Sequence, residues 1–166
     1  MILSRTSQYA IQALIYIATQ PAGEPVLNRR IADYLGVPPA YLAKIMQSLC
    51  HGNLLYSYRG RQGGFCLRED PAKTDLMRVV ALIEGPELTE TCVLGLKVCE
   101  DMTPCPMHTQ WKPVKEKIVR ILREQNLEKL AAAVRSGKYR IADLPGELIA
   151  QGGDVPLRRK PKPLQI

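Results

Sequence analysis

The sequence predicts a mainly α-helical fold with one small β-hairpin. Apolar residues recur at helical spacing in several segments, and one segment alternates between apolar and polar residues around a glycine-rich tip. The chain has 166 residues, an apolar fraction of 46% and no apolar run near the roughly 18 residues that a membrane span requires. We therefore expect one domain of ordinary size, or a small domain with an appendage, and no membrane partner.

Three helices are predicted in the N-terminal third. The first, "SRTSQYAIQALIYIATQP", carries an amphipathic stripe and is stopped by Pro21. The second, "NRRIADYLG", is short; Asn28 is expected to cap it and Gly36 to end it. The third, "PPAYLAKIMQSLCHGN", has Pro39 in its first turn and ends at Gly52. The turn "LGVPP" between the last two has the length that a helix-turn-helix requires.

A hairpin and a fourth helix complete the predicted N-terminal domain. The segment "LLYSYRGRQGGFCL" alternates like two strands, and its tip "RGRQGG" supplies glycines for a tight turn. Three helices followed by a basic hairpin make a winged helix-turn-helix. The helix "TDLMRVVALIEG", with Thr74 as its expected cap, closes a domain assigned to residues 1–84.

The remaining chain divides into three parts. Residues 85–108 form a cysteine-rich loop broken by two prolines, and residues 109–135 are predicted to form one long helix. Because an apolar seam continues along this helix after the first core is complete, we expect it to pack on a second copy of the chain. Residues 136–166 end in a Gly-, Pro- and Lys/Arg-rich tail that is expected to be disordered.

The charge distribution suggests a polyanionic partner for the N-terminal domain. The formal net charge is +7, and residues 1–69 carry seven Lys/Arg against three Asp/Glu. In a helix-turn-helix the second helix of the motif enters the major groove of DNA. The predicted DNA contacts lie at the start of the second helix, on the third helix outside its buried stripe, and at the wing tip: Arg29, Arg30, Ala40, Tyr41, Lys44, Gln47, Ser48, Arg59 and Arg61.

Each residue type on this surface has a reason to meet DNA. Tyr41 and Lys44 can reach phosphate oxygens, and Gln47 can pair bidentately with adenine. Arg59 and Arg61 flank the wing tip, where guanidinium groups contact the backbone or a narrow minor groove. The alternative is a solvated basic surface on a winged-helix module that binds another protein.

The stretch "TCVLGLKVCEDMTPCPMH" holds three of the five cysteines and one of the two histidines, spaced C-x6-C-x5-C-x2-H. An odd cysteine count without a convincing signal peptide suggests a reducing cytoplasm, where clustered cysteines more often bind metal or sense redox state than form disulfides. Thiolates and imidazole suit zinc and iron–sulfur centres. The gaps are longer than in zinc knuckles, which favours a cluster over zinc.

With these motifs the chain resembles the IscR/NsrR group of bacterial winged-helix regulators, which also includes RirA-like and CymR-like members. The resemblance covers about residues 1–135. It is carried by the opening "SRTSQYAIQAL", by "IADYLGVPPAYLAKIMQSL" in the helix-turn-helix, by "RGRQGGFCL" in the wing, and by the three-cysteine loop ahead of a long helix.

The resemblance implies a homodimeric transcriptional regulator, expected to be a repressor, that reads a pseudo-palindromic operator in double-stranded DNA. It also implies an iron–sulfur cluster, 2Fe–2S favoured over 4Fe–4S, ligated by Cys92, Cys99 and Cys105. Some members take their fourth ligand from a histidine three residues later, which matches His108. Others use a carboxylate near the start of the first helix, where this chain has Gln8, so His108 is favoured.

Other interpretations of the cysteine loop remain open at this point: a structural Cys3His zinc site, or a cluster-free thiol switch. The remaining cysteines, Cys50 and Cys66, are expected to be packed as small hydrophobic residues. No catalytic residue is expected, since the sequence offers no nucleophile–base pair, phosphate-cradling glycine loop or carboxylate dyad.

Overall fold

The computed structural model describes residues 3–61, 63–85, 92–97 and 99–142. The predicted disordered tail beyond residue 142, the wing residue Gln62 and part of the cysteine-rich loop lie outside these ranges. Within them the elements are α1 (Arg5–Thr19), α2 (Asn28–Leu35), α3 (Pro39–His51), β1 (Leu55–Tyr58), β2 (Gly64–Leu67), a 3-10 helix (Pro71–Lys73), α4 (Leu76–Glu84), α5 (His108–Glu124) and α6 (Leu127–Arg135). The mainly helical fold with a small hairpin is confirmed. No helix in the described ranges is long and apolar enough to cross a membrane.

Helix α1 lies at the centre of the core, in contact with α2, α3, α4 and α6. Ala10, Ala13 and Leu14 are completely buried, so the small side chains of α1 allow its neighbours to approach closely. Ser4 caps α1 by accepting a hydrogen bond from the backbone N–H of Ser7. The core therefore assembles around the first helix of the chain.

The turn between α2 and α3 depends on Gly36, which ends α2 with φ +68° in the left-handed region. The prediction that Asn28 caps α2 is wrong. Asn28 is already the first helical residue, and its side-chain amide donates to the carbonyl of Pro39, 2.9 Å away. Asn28 thus joins the starts of α2 and α3 and sets the angle of the helix-turn-helix.

The wing is an antiparallel pair in which Leu55 faces Leu67 and Tyr58 faces Gly64. Val26 extends this sheet through two backbone hydrogen bonds with Phe65, of 2.8 and 2.9 Å. Leu55 and Phe65 are buried, which anchors the base of the hairpin to the helical core. At the tip, Arg59, Gly60 and Arg61 are exposed.

The cap of α4 also differs from the prediction. Asp75 provides it by accepting from the backbone N–H of Arg78 at 2.7 Å. Thr74 is instead buried, and its carbonyl accepts a hydrogen bond from the backbone N–H of Leu127. The residue expected to cap a helix therefore helps to hold the α5–α6 junction.

The predicted single helix over residues 109–135 is two helices in the structure. Asp75 and Asn126 face each other in an isolated antiparallel bridge, whose backbone hydrogen bonds are made by the residues on either side of them. The Asn126 side chain caps α6 by accepting from the N–H of Lys129. Leu127, Ala131 and Val134 of α6 are buried, and α6 packs against α1. Of these two helices, α5 is the one that carries exposed large apolar side chains, Val114 and Ile121.

Glu84, the last residue of α4, ties α4 to the start of α1. Its Oε1 accepts hydrogen bonds from the backbone N–H of Ser4 at 2.8 Å and from the hydroxyl of Ser7 at 2.6 Å. Hydrogen bonds from Ser4 and then from Ser7 lower the pKa of Glu84 below its ordinary value. A lowered folded-state pKa stabilises the fold above the unfolded-state value, and this stabilisation is lost as the pH falls through the folded-state pKa.

We therefore expect Glu84→Gln to lower the free energy of unfolding by about 1 kcal/mol near neutral pH, a modest figure because the group is partly solvated. The difference from the wild type should shrink as the pH falls below about 4. Denaturant titrations of the variant and the wild type at several pH values measure the loss of stability and its pH dependence. Glu24→Gln, in the exposed α1–α2 turn, is the matched control. A difference that stays constant with pH would contradict the role of the carboxylate charge.

Candidate functional site

The surface predicted to meet DNA is exposed in the structure. All nine predicted residues lie at the surface: Arg29, Arg30, Ala40, Tyr41, Lys44, Gln47, Ser48, Arg59 and Arg61. The opposite side of α3 is buried through Leu42, Ile45, Met46 and Leu49. Residues spaced three or four apart on α3 share one side of the helix. The third helix thus presents a polar face to solvent.

Tyr41 is held by α1. Its hydroxyl lies 3.3 Å from the hydroxyl of Thr6, and its ring packs edge-on against Tyr9 with centroids 6.0 Å apart. These contacts fix the first turn of α3 relative to α1. The hydroxyl of Ser48 donates to the carbonyl of Lys44 at 3.2 Å, so its proton is already used within the helix. Of these two side chains, Tyr41 is therefore the one whose hydroxyl is better oriented to donate to a DNA phosphate.

The wing has a brace at its base that the sequence analysis missed. The guanidinium of Arg68 donates to the side-chain carbonyl of Asn53 at 2.6 Å and lies 4.9 Å over the ring of Tyr56. Asn53 adopts φ +59° just after α3. An arginine at the end of the second strand was the available signal, but only the fold shows that it faces the α3–β1 corner.

Short backbone turns position the predicted ligands of the cysteine loop. Cys92 begins a turn closed by hydrogen bonds with Gly95, which has φ +77°, and with Leu96. The carbonyl of Cys105 accepts from the backbone N–H of His108 at 2.9 Å, just where α5 begins. Cys92 and His108 are buried, and Cys99 and Cys105 are half-buried.

The four predicted ligands meet as two pairs. The Sγ atoms of Cys92 and Cys105 are 3.3 Å apart, and Sγ of Cys99 is 3.6 Å from Nδ1 of His108. Two ligands of one tetrahedral metal ion lie about 3.6–3.8 Å apart, given metal–ligand bonds of about 2.0–2.3 Å. Within the described ranges no three Cys, His, Asp or Glu side chains converge on a single ion position. The Cys99–His108 distance matches this spacing, whereas the two sulfurs of Cys92 and Cys105 lie closer together than two thiolate ligands of one ion.

The two thiols of the first pair differ in acidity. A backbone hydrogen bond from Leu94, and then a hydrogen bond from Cys105, lower the pKa of Cys92. The same contact with Cys92 raises the pKa of the Cys105 thiol. Cys92 is therefore the more acidic thiol of the pair.

Two charged residues that the sequence analysis missed surround His108. Oδ1 of Asp101 lies 2.8 Å from Nε2 of His108, and the ammonium of Lys112 lies 2.8 and 2.7 Å from the two carboxylate oxygens. Hydrogen bonds from Lys112 and then from His108 lower the pKa of Asp101, and Asp101 raises the pKa of Lys112. Lys112 follows His108 by four, a helical spacing that was a usable signal.

The remaining residues near the loop occupy different places. Trp111 is half-buried, and its Nε1 is buried without an acceptor among the described residues. Gln8 donates to the carbonyl of Leu3 at 3.2 Å, at the start of α1. Cys66 is buried, and Cys50 packs against the core, where burial raises the pKa of its thiol. These two cysteines behave as the small hydrophobic residues that were expected.

A helix-turn-helix with an exposed polar face and a basic wing defines the class of this protein: it is a winged-helix DNA-binding transcriptional regulator. A comparison with protein-family profiles supports this class, and the match covers nearly all of the described chain. The profile of the Rrf2 family, described as an iron-dependent transcriptional regulator, matches residues 3–133. The chain belongs to the Rrf2 family.

Individual relatives agree with this assignment. A helix-turn-helix-type transcriptional regulator of Aquifex aeolicus is 32% identical over 120 residues, covering 71% of this chain and 83% of the relative. The regulator IscR of Escherichia coli is 25% identical over 162 residues, covering 95% of this chain and 99% of IscR. The structure of CymR, the global cysteine regulator of B. subtilis, has a TM-score of 0.68 at 24% identity and covers 79% of this chain and 96% of CymR. The structure of T. potens IscR has a TM-score of 0.64 at 23% identity and covers 83% of this chain and 92% of T. potens IscR.

The contact between Cys92 and Cys105 makes a prediction for the metal-free chain. A mild two-electron thiol oxidant should join these two cysteines before it forms a bond to Cys50 or Cys66, because the sulfurs touch and Cys92 has the larger thiolate fraction. Peptide mapping by mass spectrometry under non-reducing conditions identifies the first disulfide. Earlier formation of a Cys50–Cys66 bond would contradict the geometry of the loop.

Proposed function

We propose that this chain is a homodimeric transcriptional repressor whose affinity for a pseudo-palindromic operator depends on an iron–sulfur cluster. Cys92, Cys99, Cys105 and His108 would hold the cluster. The observation that carries this proposal is the meeting of these four side chains in two contacting pairs at the start of α5. When bound, the cluster supplies a centre that responds to cluster supply, redox state, iron or nitric oxide.

The pairing of the ligands supports a 2Fe–2S cluster. In such a cluster each iron takes two protein ligands, and His replaces Cys in some proteins. Cys92 with Cys105 and Cys99 with His108 would supply those two sets.

The chain's own contacts suggest how the loop communicates with DNA. Because the Cys105 carbonyl binds the first backbone N–H of α5, a change in the loop moves the start of that helix. Val114 and Ile121 of α5 are about half exposed (48% and 49%) and would pack against the second copy. Loop order would thus shift the population between two spacings of the recognition helices.

Each part of the chain has a role in this proposal. Residues 1–84 would bind DNA and residues 85–108 would hold the cluster. Dimerisation would rest on α5 alone, because α6 is occupied by contacts with α1. Within the DNA-binding part, Lys44 and Gln47 would meet the major groove, and Arg59 and Arg61 would meet the backbone or the minor groove.

Alanine substitutions separate ligands from structural cysteines. Cys92→Ala, Cys99→Ala, Cys105→Ala and His108→Ala should each abolish or strongly alter the visible absorbance of anaerobically purified protein, because each removes a ligand. Cys50→Ala and Cys66→Ala are the matched controls and should retain it. Equal loss from all variants would indicate general destabilisation and contradict the ligand assignment.

The wing prediction concerns salt dependence. Arg61→Ala should weaken binding to operator and non-operator DNA alike and reduce the slope of log affinity against log salt by about 1, because one phosphate contact is lost. The operator is first found by sequencing the DNA that the purified protein retains. Fluorescence anisotropy at several salt concentrations then measures both the affinity and its salt dependence. Lys73→Ala, on the 3-10 helix that packs against α6, loses the same charge away from the wing. An unchanged slope in Arg61→Ala would show that the wing does not touch phosphate.

A second candidate function is a cluster-free thiol switch, which the 3.3 Å Cys92–Cys105 contact favours. A structural zinc ion is the other use of the same ligands. Anaerobic purification followed by a visible spectrum and assays of iron, sulfide and zinc separates the three. Iron and sulfide in equal amounts support the cluster, whereas zinc alone or no metal contradicts it.

A further inference from the structure

We propose that Asp101, held in place by Lys112, is a positioning residue that makes Nδ1 the ligating nitrogen of His108. This inference rests on the proposed function, because it concerns how the fourth ligand is oriented. It assigns roles to two residues that do not ligate the group themselves.

The first step is the tautomer of the imidazole. Oδ1 of Asp101 lies 2.8 Å from Nε2 of His108, a hydrogen-bond distance. An ionised carboxylate has no proton to donate, so Nε2 must carry the hydrogen. In a neutral imidazole this leaves the lone pair on Nδ1. Asp101 thereby selects the nitrogen that is free to bind a metal.

The second step is the direction of that lone pair. Nδ1 lies 3.6 Å from Sγ of Cys99. Nitrogen and sulfur ligands of one tetrahedral metal ion are about 3.6 Å apart, given the ordinary bond lengths of about 2.05 and 2.3 Å. The nitrogen freed by Asp101 is therefore the one already placed beside a second ligand.

The third step is what holds Asp101. The ammonium of Lys112 contacts both carboxylate oxygens, and Lys112 lies one turn after His108 on α5. The Asp101 side chain is 70% exposed, whereas that of His108 is 10% exposed, so the carboxylate covers the imidazole from the solvent side. Such an exposed ion pair adds little stability. Its contribution is orientation, as for the outer hydrogen-bond partners of other metal-ligating histidines.

The tautomer is measured in the metal-free chain. The protein has only two histidines, so 15N-histidine labelling gives two sets of two-bond 1H–15N correlations, with exposed His51 as the internal reference. The measurement is made at about pH 8, where the neutral form of His108 should be the Nε2–H tautomer. Asp101→Asn should shift it towards Nδ1–H, because the amide can donate to Nε2.

Two further variants sharpen this measurement. Glu100→Gln is the matched control, since Glu100 is the neighbouring carboxylate and binds Thr103 at 2.6 Å; it should leave the His108 tautomer unchanged. Lys112→Gln keeps the carboxylate but releases it from the helix, and should give an intermediate tautomer ratio. A His108 signal that Asp101→Asn does not alter would overturn the proposal.

The loaded protein tests the ligating atom. Histidine labelled with 15N at either Nδ1 or Nε2 should give strong hyperfine coupling to the reduced cluster only from Nδ1; strong coupling from Nε2 would overturn the proposal. Asp101→Asn should lose its visible absorbance about 10- to 100-fold faster than wild type, and Glu100→Gln at the wild-type rate. If wild-type protein takes up no iron and sulfide, the proposed function fails, whereas the tautomer measurement still decides whether Asp101 orients the imidazole.

Discussion

The short backbone bridge between Asp75 and Asn126 determines how the C-terminal half of the chain is used. Hydrogen bonds from Leu76 to Gln125 and from Leu127 to Thr74, each of 3.0 Å, end α5 and start α6 beside the beginning of α4. Helix α6 can then bury its apolar side against α1. Helix α5 begins at the cysteine loop and carries the exposed apolar seam along its own length.

This arrangement places a predicted ligand, an exposed apolar side and a fixed end on one helix. The start of α5 carries His108, its side carries Val114 and Ile121, and its end is fixed to the winged-helix domain through Gln125. Under the proposed function, a change in the order of the loop would act on a helix that is anchored at its far end. Such a helix would favour a two-state change in dimer geometry, because a packed junction resists continuous deformation.

The cysteine loop shows how far ligand spacing can be interpreted. The sequence suggested four donors and favoured a cluster over zinc because the gaps are long, but spacing alone does not show which donors touch. The pairing of Cys92 with Cys105 and of Cys99 with His108 arises because turns at Gly95 and before α5 fold the loop back on itself. Asp101 was overlooked because one carboxylate in a polar loop has no distinguishing pattern until its partner is known.

The sequence by itself determined the order of the elements, the buried stripe of α3, the glycine that ends α2, the basic wing and the identity of the four candidate ligands, because these follow from local periodicity and residue chemistry. Only the tertiary structure decided that the long C-terminal segment breaks at Asn126 and that Asn28 and Thr74 serve long-range contacts rather than caps. Those features depend on hydrogen bonds between residues distant in the chain, for which local propensity carries no information.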